Sequence, residues 1–97
     1  MSTFLSSHRR LRDYELLAFA CRRAGKQRDE GRAYFSMGIL YDNLGEWKKA
    51  VDCYKRFLNV CKAIGDVHGE GLAYNCIGVD YLLLADETPG LLQDAIV

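Results

Sequence analysis

The stretch Gly31–Leu58, GRAYFSMGILYDNLGEWKKAVDCYKRFL, decides the fold. Its opening returns at Gly71–Ala85 as GLAYNCIGVDYLLLA, with Gly, Ala, Tyr, Gly and Tyr each forty residues after their first appearance. Sliding the chain against itself by forty sets residues 11–41 opposite 51–81 without a gap. Tyr14, Cys21, Gly25, Glu30, Gly31, Ala33, Tyr34, Gly38 and Tyr41 then meet identical residues. Nine identities in 31 pairs compare with roughly two expected from average residue usage. One structural unit is therefore used more than once.

The unit reads as a helical hairpin. Trp47, Ala50, Val51, Tyr54, Phe57, Leu58, Cys61 and Ile64 recur at spacings of three and four, the stripe of an amphipathic helix. Lys48, Lys49, Asp52, Lys55, Asn59 and Lys62 fill the opposite side. Cys53 and Val60 widen the stripe, so this helix is expected to touch neighbours on two flanks. Ala33, Tyr34, Met37, Gly38, Tyr41 and Leu44 mark a preceding helix, and Gly45 breaks the chain between the two. A link this short makes the helices antiparallel neighbours. Gly65-Asp66 ends the second helix. Gly38 and Gly78 lie inside helices, where Gly costs about 1 kcal/mol relative to Ala. Close approach of two helix backbones would explain both, with Tyr41 and Tyr81 filling the space alongside.

Tyr34-x2-Met37-Gly38-x2-Tyr41 followed by Ala50-x3-Tyr54 resembles the tetratricopeptide repeat signature W-x2-L-G-x2-Y…A-x3-F. The second copy reads Tyr74-x2-Ile77-Gly78-x2-Tyr81. The resemblance covers roughly residues 8–97. The period is 40 rather than 34 residues, and the proline after the second helix is missing. That longer repeat is similar to those of G-protein-regulator and ciliary scaffolds. The implied fold is all-α: antiparallel helical hairpins stacked as a short right-handed superhelix of about five helices. Residues 1–7 are expected to be a flexible N-terminus and 8–97 a partial array. Within it, 8–24 is the second helix of a repeat, 31–64 a full repeat and 71–97 an incomplete one. Thr88 is read as an N-cap with Pro89 at the first helical position, opening a helix over LLQDAIV. Repeat packing is assigned to Tyr34, Gly38, Tyr41, Ala50, Tyr54, Tyr74, Gly78 and Tyr81.

Composition narrows the class of function. The chain has 97 residues and no net charge. Residues 1–32 carry +4, however, and residues 33–97 carry −4. No apolar run approaches the length of a membrane span, and MSTFLSSHRRLR lacks the apolar core of a secretory signal. A cytoplasmic address is expected, with cytoskeletal or ciliary scaffolds as the settings the resemblance implies. Cys21, Cys53, Cys61 and Cys76 form no close pair and have no His at ligand spacing, so small buried thiols are expected. His8 and His68 belong to no Ser-His-Asp, Cys-His, metal-ligand or phosphate-loop arrangement. The expected chain is not an enzyme and takes no cofactor or metal.

The resemblance implies a concave face built from first helices that binds a peptide or helix of a partner protein. By position its residues are Arg32, Phe35, Ser36, Ile39, Asp42 and Asn43. The next repeat adds Leu72, Asn75, Cys76, Val79, Leu82 and Leu83. This mixed, partly apolar set suits an amphipathic segment. Only Arg32 and Asn75 carry the chemistry of a clamp for a terminal carboxylate. Two alternatives accompany this expectation. Leu16, Phe19, Leu82–Leu84, Leu91, Leu92, Ile96 and Val97 leave the ends of the array apolar, which implies a piece of a longer array or a homo-oligomer joined through its terminal helices. Arg22, Arg23, Lys26, Arg28 and Arg32 form a basic cluster that could meet nucleic-acid phosphates, although Asp29 and Glu30 interrupt it.

Overall fold

Each reversal of the chain is made at a glycine. Gly25, Gly45 and Gly65 have φ of 74°, 74° and 72°, a backbone region that side-chain-bearing residues enter only at a cost. They stand twenty residues apart, half the period of the echo. The hydrogen bonds around them are the same three times over. Gly25, Gly45 and Gly65 N–H donate to the carbonyls of Arg22, Asp42 and Lys62 at 3.2, 3.0 and 3.3 Å. Lys26, Glu46 and Asp66 N–H donate to Cys21, Tyr41 and Cys61 at 2.9, 2.9 and 2.8 Å. This is the Schellman closure of a helix C-terminus. The carbonyls of Lys26, Glu46 and Asp66 then accept the first bonds of the next helices, from Glu30, Ala50 and Glu70, each at 3.0 Å. One residue thus finishes one helix and starts another.

The computed structural model describes the chain from Thr3 to Glu87. Those residues form α1 (Thr3–Ala24), α2 (Gln27–Asn43), α3 (Trp47–Ile64) and α4 (Val67–Glu87), with no strand among them. The helices start earlier than the apolar pattern alone suggests. Residues 3–7 belong to α1 rather than to a loose lead-in, because nothing from Thr3 to Ser7 breaks a helix, and Ser7 is buried. The expected fifth helix, with Thr88, Pro89, Leu91, Leu92, Ala95, Ile96 and Val97, lies outside the described residues.

Consecutive helices are antiparallel, as their contacts show. On α2 and α3, Gly31 faces Val60, while Asp42 accepts a hydrogen bond from Tyr54 Oη at 2.6 Å. Between α3 and α4, Trp47 Nε1 donates to Glu87 Oε1 at 2.8 Å. Farther along that pair, Lys55 lies over the Tyr81 ring and Lys62 over the Tyr74 ring. Helices two apart run parallel. Leu11 of α1 shares a cluster with Cys53 of α3, together with Met37 and Leu40. Asp42 of α2 meets Asp80 of α4. The chain therefore zigzags, with α1 and α3 on one side and α2 and α4 on the other.

The main core is centred on α3. Ala50, Val51, Tyr54 and Leu58 pack with Ala73, Ile77 and Leu84 of α4, and Phe35, Tyr41, Trp47, Phe57 and Cys76 close around them. Ala50 and Ala73 are wholly buried. Small residues there let α3 and α4 approach closely. The Tyr54 ring, 1% exposed, packs against Gly38, where a Cβ would overlap it.

A candidate interaction groove between α2 and α4

Because α2 and α4 are parallel and both rest on α3, their N-terminal halves leave a cleft between them. It encloses about 410 Å³. Its floor is apolar: Phe35 from α2, Phe57, Val60 and Ile64 from α3, and Leu72 from α4. Arg28, Arg32, Ser36, Asp66 and His68 edge it. Phe35 is held in place by Phe57 and Tyr54, with ring centroids 5.0 and 5.7 Å away and both pairs tilted. That geometry suits the ring quadrupoles. Asp66 also closes the cleft's end by capping α4, since Gly69 N–H donates to its Oδ1 at 2.9 Å.

The concave-face residues expected from the sequence fall into three groups. Arg32, Phe35, Ser36 and Leu72 line this cleft together. Ile39, Asn43, Asn75, Val79 and Leu82 are exposed farther along α2 and α4, while Cys76 and Leu83 are half-buried. Asp42 is half-buried and turned to the core side, where it accepts the Tyr54 hydroxyl proton.

Asp80, which the apolar pattern passes over, belongs to the same place. It is 1% exposed and lies within hydrogen-bonding reach of Asp42. Asp42 Oδ1 and Asp80 Oδ2 are buried, and neither meets an N–H or O–H donor among the described residues. Burial, then the bond to Asp42 and its charge, push the Asp80 carboxyl up to about 7. The Tyr54 hydroxyl is likewise pushed up by burial and by Asp42. One signal in the sequence pointed here: in the forty-residue echo Asp80 stands opposite Leu40, so an acid occupies a core position.

The packing residues are not all equivalent. Ala50 and Tyr54 are buried in the core, Tyr34 and Tyr41 pack half-buried against it, and Gly38 sits under the Tyr54 ring. Gly78 has nothing within 4 Å of where a Cβ would stand. Tyr74 and Tyr81 are exposed, each with a lysine of α3 at 5.8 Å from the ring centroid. The role expected of Gly78, Tyr74 and Tyr81 is thus unmet among the described residues, because no described helix lies on that side of α4.

The basic cluster is divided among neighbouring hollows, with Lys26 and Arg32 lining one beside Tyr14 and Leu17. Arg23 stacks over Phe19 at 5.7 Å. Arg22 lies in a hollow with Tyr34 and Arg56, and Arg28 and Arg32 edge the cleft. The four cysteines are free thiols, and burial pushes Cys53 up to about 11. No group of three or more His, Cys, Asp or Glu able to hold a metal occurs among the described residues, and no described helix is long and apolar enough to cross a membrane. Comparison with protein-family models, curated proteins and solved structures returned no match to this chain.

Proposed function

We propose that this chain is a tetratricopeptide-type interaction module that holds a segment of a partner protein in the α2–α4 cleft. The observation that carries this reading is the cleft itself. It has an aromatic and aliphatic floor, and Arg28 and Arg32 stand on its rim. Such a site accepts an apolar anchor flanked by acidic residues. Three identical turns at a twenty-residue spacing support the repeat reading. They give each new hairpin the same exit geometry, which is what a superhelical stack requires.

Selection of displayed peptides on the folded chain tests it. Selected peptides are expected to combine a bulky apolar residue with Asp or Glu. Their affinity should fall more than about tenfold in Phe35→Ala or Leu72→Asp, with circular dichroism unchanged. Lys49→Ala, remote from the cleft, should leave it unaltered. Peptides that bind the Phe35→Ala/Leu72→Asp chain as tightly as the parent would sink the proposal. Self-association is a second reading, supported by Val67, Tyr74, Tyr81 and Leu82 exposed along α4. Sedimentation at rising concentration separates the two.

A further inference from the structure

Three helices bring polar groups together behind the cleft. Asp42 comes from α2, Tyr54 from α3, and Asp80 from α4, one turn beyond Cys76. Tyr54 has a single hydroxyl proton, and it goes to Asp42 Oδ2. That leaves one buried oxygen on each carboxyl, Asp42 Oδ1 and Asp80 Oδ2, with no donor among the described residues. Two ionised carboxyls cannot sit in that arrangement, because each would repel the other and neither could donate.

We propose that Asp42 and Asp80 form a proton-dependent latch between α2 and α4, closed by one shared proton and opened by its loss. With the proton on Asp80, a hydroxyl-to-carboxylate hydrogen bond runs from α4 to α2, and the Tyr54 bond ties both to α3. Such charge-assisted bonds are short and strong. Without the proton, two like charges face each other where Asp80 is almost fully enclosed. No cation stands among the groups acting on Asp80. The Cys76 thiol, pushed up by burial and by the same two acids, cannot compensate. Asp80 holds its proton more tightly folded than unfolded. Its stabilisation is therefore present at acid pH and lost as the pH rises through about 7. The latch does not depend on the cleft being a binding groove. If the cleft is one, its two walls are the helices the latch joins, and ligand affinity should fall over the same pH range.

Carbon-detected NMR of the side-chain carboxyls in the wild-type chain tests the latch without any substitution. One of the two carboxyl signals is expected to titrate well above the ordinary carboxylate range. Both titrating in the ordinary range would overturn the proposal. Thermal unfolding gives a second test. The wild-type Tm should drop by several degrees between about pH 5.5 and pH 8.5. Asp80→Asn keeps a donor toward Asp42 and removes the charge, so most of that drop should vanish. A drop of equal size in Asp80→Asn would refute the latch. If Asp80→Asn fails to fold, hydrogen exchange in the wild type replaces it: α4 amides should lose protection at high pH before α3 amides do. Uniform loss across both helices would count against the latch.

Discussion

Gly38 and Gly78 hold the same place in the forty-residue echo, three residues before a tyrosine, and they live in different surroundings. Gly38 lies under the Tyr54 ring, on a helix that packs against both α1 and α3. Gly78 faces open space on the outer side of α4. The tyrosines beside them diverge in the same way. Tyr34 lies between α1 and α3, donates to Glu30 at 2.7 Å and has Arg56 over its ring. Tyr74 is 54% exposed, with Lys62 of α3 over its ring. A repeat motif therefore states which residues can pack. Whether they do depends on having a neighbour.

The comparison can be broken most forcefully at Tyr54. Tyr54→Ala is expected to cost about 3–5 kcal/mol, since it empties the centre of the core and strips Asp42 of its donor. Its echo partner Tyr14 is only half-buried, so Tyr14→Ala should cost less than half as much. Equal losses in urea unfolding would show that the two helices are equally central. The glycines come next. Gly38→Ala should destabilise by roughly 1–3 kcal/mol through overpacking against the Tyr54 ring. Gly78→Ala should stabilise by about 0.4–1 kcal/mol, since its helical backbone accepts alanine and nothing obstructs the methyl. Opposite signs from one substitution at echo-related sites would sharpen the contrast. Two changes of the same sign would erase it.

The turns should behave as true equivalents. Alanine at Gly25, Gly45 or Gly65 forces a left-handed backbone on a side-chain-bearing residue and should cost about 1–2 kcal/mol at each site. A large spread among the three midpoints would contradict the shared geometry. The smallest effect separates the residues that follow them. Asp66→Ala removes a side-chain cap and should cost about 1 kcal/mol. Glu46→Ala and Lys26→Ala remove none and should be close to neutral.

Much of the fold was legible because periodicity is a local property. The α3 stripe, its two-flank width, the break at Gly45 and the stop at Gly65 all follow from spacing and from the conformational preferences of glycine. The candidate groove was legible only in part. Arg32, Phe35 and Ser36 were found by their position in the repeat. Phe57, Val60 and Ile64 read as plain core stripe, because periodicity cannot say where two parallel helices leave a gap over a third. The acid pair was missed for a related reason. Position 40 holds Leu and position 42 holds Asp, while 80 holds Asp and 82 holds Leu. The acid and the leucine exchange places between the copies, and only their meeting across α2 and α4 gives the exchange a meaning.

By itself, the sequence determined a helical chain with a forty-residue echo, the breaks at Gly45 and Gly65, and the stripe that makes α3 the hub. Those depend on backbone preference and on which side chains avoid water, and both act within a few residues. The tertiary structure alone decided that Gly38 is enclosed and Gly78 is open, that a cleft opens over Phe35 and Leu72, and that the buried Asp80 meets Asp42. Each of these depends on the distance between helices far apart in the chain, and a repeating pattern does not encode that distance.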